Sequence, residues 1–113
     1  MMGVSPEKAA RFVEKQGGDI IALNCGTGMD MPGAAKVIRQ YRRSCKLPTM
    51  AQPNAGLPVL EGGKAVYKQA PADMAKGVPD VIAAGANIIG SCCGSTPDHT
   101  RAIRTMVDAH PAP

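Results

Sequence analysis

Two apolar runs 68 residues apart both end in cysteine, and this coincidence constrains the fold more than any other feature of the chain. Asp19-Ile20-Ile21-Ala22-Leu23-Asn24-Cys25-Gly26 overlies Asn87-Ile88-Ile89-Gly90-Ser91-Cys92-Cys93-Gly94, so that Cys25 falls on Cys93 with Cys92 beside it. Runs this short and this rich in isoleucine read as buried strands. Two such strands ending at one height would bring three thiols toward one point. That is the pattern of a metal site.

The segments between the runs predict helices. Ser5-Pro6-Glu7 reads as an N-cap with proline at the first helical position, and Ala9, Phe12, Val13 and Gln16 follow at helical spacing until Gly17-Gly18. Gly26-Thr27-Gly28 is loop, and Pro32 opens a second helix with Ala34, Ile38, Tyr41 and Cys45 on one face. Residues 48–52 form a strand ending at Pro53-Asn54-Ala55-Gly56. The stretch 57–70 has no clear period and reads as a long loop. Pro71 starts a helix that Gly77 and Pro79 must kink, with Met74, Val78, Val81 and Ile82 inward. A third strand covers 87–91, and a last helix runs from Pro97 to about Ala109 on an Ile103, Met106, Val107 stripe.

Alternating helices and strands mean parallel strands joined by crossovers, an α/β class. Three strands make a small open sheet, so the chain reads as one side of a (β/α)8 barrel, which needs about 250 residues. With 113 residues it is one domain at most. Hydrophobic residues at 44% and charged residues at 19% fit a globular chain. Only Phe12, Tyr41 and Tyr67 are aromatic, which leaves no stacking surface for single-stranded nucleic acid. The net charge of +4 is scattered, with Arg42-Arg43 the one adjacent basic pair, so no nucleic-acid partner is expected. No run approaches a membrane span, and Met1-Met2-Gly3-Val4 is no signal peptide. A cytoplasmic location is expected, where thiols stay reduced and two disulfides would not form.

Three segments resemble the homocysteine S-methyltransferase family, the zinc-dependent barrel also found at the start of cobalamin-dependent methionine synthase. They are Ala22-Leu23-Asn24-Cys25-Gly26, Ala51-Gln52-Pro53-Asn54-Ala55-Gly56-Leu57-Pro58 and Gly90-Ser91-Cys92-Cys93-Gly94-Ser95-Thr96-Pro97. Ser91 stands where the family typically has a second glycine before its cysteine pair. The resemblance implies that residues 1–113 are the C-terminal portion of the family's partial TIM barrel, strands six to eight with flanking helices. The first half, with its Asp-Gly motif and much of the substrate pocket, is then expected to be missing. Either that half or a second copy of the chain would be the partner.

The same resemblance implies zinc held by Cys25, Cys92 and Cys93, with homocysteine supplying a fourth sulfur and methionine as product. The methyl donor is left open among folate, corrinoid, betaine and sulfonium compounds. Zinc–thiolate bonds of about 2.3 Å require three sulfurs within roughly 4 Å of one another. Strands six and eight lie about 9–10 Å apart, so their inward side chains must converge across strand seven. Cys92 and Cys93 can both ligate only where the pleat breaks, which Gly90 and Gly94 permit. Asn54 is a candidate to approach the metal when substrate is absent, or else a turn residue before Ala55-Gly56. Asn24 is a second candidate for substrate or transient metal contact.

Other features have plainer readings. Cys45 lies on an apolar stripe and reads as core. His99 reads as a surface residue of the last helix. Gly26-Thr27-Gly28 and Gly94-Ser95-Thr96 could bind an anion, although capping by Thr96 explains the latter. The rival to an enzyme is a non-catalytic fragment in which zinc merely ties two strands together.

Overall fold

The computed structural model describes residues 4–111, so Met1–Gly3, read above as no leader, lie outside the described residues. Ser5 caps α1 (Pro6–Lys15), its hydroxyl accepting the Lys8 N–H. The chain continues through β1 (Ile21–Asn24), α2 (Met31–Ser44) and β2 (Thr49–Gln52). After β3 (Val59–Glu61) and β4 (Lys64–Val66) come α3 (Pro71–Ala75), α4 (Val78–Ala84), β5 (Ile88–Ile89) and α5 (Pro97–Ala109). The expected alternation of helices with parallel strands is present: the main sheet has the order β1-β2-β5, parallel throughout. Leu23 pairs with Ala51, which pairs with Ile89. This register is two residues off the repeat, which set Leu23 level with Ser91, so the strand ends lie close together across β2 but not in the repeat's alignment.

The sheet is buried on one face only, which corrects the expectation of fully buried strands. Ile21 and Leu23 of β1 and Thr49 and Ala51 of β2 turn toward the helices, while Ala22, Asn24 and Ile88 are exposed. The two layers form a slab 43 × 37 × 18 Å. The core lies between sheet and helices, around Met31, Ala34, Ile38, Met74, Val78, Val81 and Ile103. Ala34, Ile38, Tyr41 and Cys45 of the second helix are buried as expected. In α1 the inward face is Ala10 with half-buried Ala9 and Val13, while Phe12 and Gln16 are exposed. This helix packs chiefly on α2 and β1, and the flank carrying Phe12 stays exposed among the described residues.

Three other expectations need correction. The stretch 57–70 is not all loop, because β3 and β4 pair antiparallel around Gly62 and Gly63. Both glycines have positive φ, +56° and +78°, which a two-residue hairpin turn of this kind demands. The helix from Pro71 is broken, not merely kinked: α3 ends before Lys76-Gly77, where the Met31 side chain packs so closely that a Cβ on Gly77 would meet it at 2.5 Å. The third strand is shorter than predicted, although Asn87 N–H to Thr49 O (2.9 Å) and Gly90 N–H to Ala51 O (2.8 Å) extend the pairing beyond it.

Candidate metal centre

β1 ends at Asn24, and Cys25 follows with φ +52°, a left-handed conformation unusual for a side chain with a Cβ. Its N–H still reaches Gln52 O at 3.3 Å, so the turn begins while the chain remains tied to β2. On the far side of β2, Cys92 N–H donates to Pro53 O (2.8 Å) and Ala55 N–H to Cys93 O (2.9 Å). Ser95 Oγ closes the turn on Cys92 O at 2.6 Å. The pleat is therefore broken after Ile89. Gly94 supplies a positive φ of +80°, whereas Gly90 does not.

These turns bring the three predicted cysteines together. Cys25 Sγ lies 3.3 Å from Cys93 Sγ, and all three sulfurs fall within 4.8 Å of one another. Tetrahedral thiolate ligation at 2.3 Å sets sulfurs about 3.8 Å apart, between these separations. All three are half-buried. The donor set therefore fits a thiophilic metal with room for a further ligand, as an open site requires. Cys45 is buried at the end of α2 and belongs to the core.

The thiols influence one another. Hydrogen bonds from the Cys93 thiol, the Gly26 backbone and the Cys92 thiol hold Cys25 below the usual thiol range. Hydrogen bonding to Cys25 and Cys92, with some burial, pushes Cys93 up to about 11. Without metal, Cys25 ionises before Cys93, which keeps its proton. Any bound cation must displace that proton.

Asn54 sits behind the sulfurs, 1% exposed. Its Nδ2 donates to Gly26 O at 3.3 Å and its Oδ1 accepts the Cys93 N–H at 3.0 Å. It bridges the two cysteine loops, a role that neither of its sequence readings, metal contact or turn residue, included. Asn24 is exposed on the open face of the sheet, with Nδ2 4.0 Å from Cys92 Sγ. His99, expected at the surface, is 6% exposed. Its Nδ1 accepts the Thr96 N–H (3.1 Å) in a capping box, and Nε2–H donates to Gln69 O (2.7 Å). Capping is thus what Thr96 does, and α5 is latched to the segment leaving the hairpin. Gln69 Oε1 on that segment is the one buried side-chain acceptor without a partner among the described residues.

With this geometry in place, comparison with known proteins is decisive. The homocysteine S-methyltransferase family profile matches residues 1–107. The chain belongs to that family. It is 36% identical over 108 residues to the methionine synthases of Mycobacterium leprae (strain TN) and Mycobacterium tuberculosis (strain ATCC 25618 / H37Rv). Each match covers 95% of the chain but 9% of the relative, so the chain spans about a tenth of the length of these proteins. The segments around Cys25, Gln52-Pro53-Asn54 and Cys92-Cys93 are the ones that meet at the thiol cluster. No helix among the described residues is long and apolar enough to cross a membrane.

Proposed function

We propose that residues 1–113 are the C-terminal portion of a zinc-dependent homocysteine S-methyltransferase barrel, acting in the cytoplasm to activate the homocysteine thiol for methyl transfer and methionine formation. The observation that carries this reading is the meeting of Cys25, Cys92 and Cys93, three sulfurs within 4.8 Å on the ends of strands that flank β2. Zinc held by these residues would lower the proton affinity of an incoming thiol, so that its sulfur would be a nucleophile at neutral pH. The residues themselves supply position. Cys25 and Cys93 present sulfurs from opposite sides of β2, and Asn54 holds both loops by their backbones. Asn24 and Asn54 are the polar side chains available for contact with substrate or, in its absence, with the metal.

The open face of the sheet supports the barrel reading. Strands of a (β/α)8 barrel point alternate side chains inward, and Ala22, Asn24 and Ile88 would face that interior here. A cleft of about 460 Å³ lies beside β5, lined by Ile82, Ile89, Ile103 and Val107, where a further strand and helix would pack. The occupant is the remaining barrel half or a second copy of the chain. These uncovered edges also favour a second reading, a zinc-binding subunit of a split barrel with no turnover of its own.

Methionine formation from homocysteine distinguishes the two. The assay uses the full chain alone and then joined to an N-terminal half of the family's barrel, with folate, corrinoid, betaine and sulfonium donors in turn. Turnover by the completed barrel, lost on Cys93→Ala, is expected. The chain alone should be nearly inactive, because alignment of nucleophile and donor can contribute about 7–11 kcal/mol and many of the orienting groups lie elsewhere. Inactivity of the completed barrel with every donor would favour the non-catalytic reading.

A further inference from the structure

Asn24 and Cys25 meet Cys92 and Cys93 one to one. Asn24 Nδ2 donates to Cys92 Sγ at 4.0 Å, and Cys25 Sγ lies 3.3 Å from Cys93 Sγ. Both contacts span 68 positions, the offset at which the two apolar runs overlie. The ladder pairing runs two residues off that offset, yet the side chains beyond it return to the repeat's spacing. Tilted strands of an eight-stranded barrel with a shear of about 8 are staggered by about one residue per strand, which gives this difference across β2. Successive strand residues normally point to opposite faces. The left-handed φ of +52° at Cys25 breaks that alternation, so one dipeptide presents both side chains to the cysteine pair. Among the described residues, Asn24 is the one side chain outside the three cysteines with a hydrogen bond to a sulfur of the cluster.

We propose that Asn24 is a positioning residue of the metal centre, its Nδ2–H donating a hydrogen bond to the Cys92 sulfur. The inference rests on the zinc reading above and deepens it. A thiolate accepts hydrogen bonds and donates none, so the NH2 end of the amide is the end that suits a ligating Cys92. Hydrogen bonds to an ionised acceptor are roughly twice as strong as neutral ones. The contact, long at 4.0 Å, therefore gains strength when Cys92 is a thiolate. Three thiolates around a divalent cation carry one excess negative charge, and an N–H at one sulfur offsets part of it. Asn54 fixes the backbone of Cys93, whereas Asn24 acts on a sulfur directly. Its Oδ1 remains for contact with substrate.

The test uses the full chain with Asn24→Leu, which keeps the bulk of the side chain and removes the N–H. The position is exposed, so the core is left alone. Cobalt(II) is titrated without substrate as a spectroscopic probe, and zinc affinity is measured by chelator competition. A hydrogen bond lowers the energy of sulfur lone pairs, so its loss should move the sulfur-to-cobalt charge-transfer band to longer wavelength. Zinc binding should weaken by about tenfold, the low end for outer partners, because the contact is long and exposed. An unmoved band in Asn24→Leu overturns the proposal whatever the affinity does, because a residue that only touches substrate would leave the band in place. A change confined to the ligand-field bands overturns it as well, since that would place the amide on the metal instead of the sulfur. If the unsubstituted chain itself gives no sulfur-to-cobalt band, the metal reading fails and this inference fails with it. A normal band in the unsubstituted chain that Asn24→Leu leaves unchanged would sink this inference alone.

Discussion

Asn54 Oδ1 accepts the Cys93 N–H at 3.0 Å, so a side chain just past the end of β2 fixes the backbone of a cysteine beyond β5. The same amide reaches Gly26 O on the opposite loop, next to Cys25. One buried residue thereby sets the separation of two sulfurs. Asn54→Leu removes both bonds and leaves the Cys93 N–H and the Gly26 carbonyl without this partner. It should lower stability by about 1–3 kcal/mol and weaken zinc binding by roughly 10–100-fold. Thermal unfolding and chelator competition measure the two effects; unchanged values in both would show that the loops are held by other means.

Metal stoichiometry checks the ligand set. One equivalent of zinc per chain is expected in protein purified without chelator. Cys25→Ser should abolish tight binding, while Cys45→Ser, buried at the end of α2, should leave it intact. Equal loss from both substitutions would refute the assignment.

Zinc affinity should depend on pH with a definite sign. Cys93 keeps its proton up to about 11 in the metal-free chain, so binding displaces that proton throughout the neutral range. Each proton released raises apparent affinity about tenfold per pH unit. Cys25, held below the ordinary thiol range, contributes its own proton only on the acid side of its titration. Affinity measured from mild acid to mild alkali should therefore rise steadily, with a steeper limb at low pH. A flat profile would mean that the thiols are already ionised.

The free edges of the sheet predict association. β1 and β5 each have one neighbour, and Ile20 and Ile88 are 43% and 41% exposed. Unpaired strand edges beside apolar surface invite pairing with another chain. Sedimentation of the isolated chain should show oligomers or aggregation. Supplying the N-terminal barrel half should suppress this and sharpen the melting transition. A monodisperse monomer with a cooperative melt would contradict the open-barrel reading.

His99 should matter to stability without binding metal. Its ring serves the α5 cap and the Gln69 carbonyl together. His99→Ala should cost about 1–2 kcal/mol, as losses of helix caps do, and its zinc stoichiometry should stay unchanged. Loss of bound zinc in a folded His99→Ala variant would instead make the imidazole a ligand.

Much of the site was legible in the chain itself. Equal apolar runs ending in cysteine predict two parallel strands with neighbouring ends, and β1 and β5 do flank β2, although Leu23, Ala51 and Ile89 align two residues away from the register of the repeat. Ser5, Thr96 and the prolines after them likewise placed two helix starts, since capping chemistry is local. The hairpin could have been read from Val59-Leu60-Glu61-Gly62-Gly63-Lys64-Ala65-Val66, where paired glycines meet the positive-φ demand of a tight turn. Its three-residue strands were too short to show a period. Other properties depend on contacts between distant segments. Which flank of α1 is buried follows from what packs there, and helical spacing alone could not distinguish Ala10 from Phe12. Asn54 bridges residues 28 and 39 positions away, and His99 turns inward to a carbonyl 30 residues before it. Local sequence determined the strands, the caps and the thiols, because propensity and pattern act over a few residues. Tertiary structure decided the sulfur spacing, the Asn54 bridge and the His99 latch, because each is an interaction that exists only once the crossovers bring distant segments together.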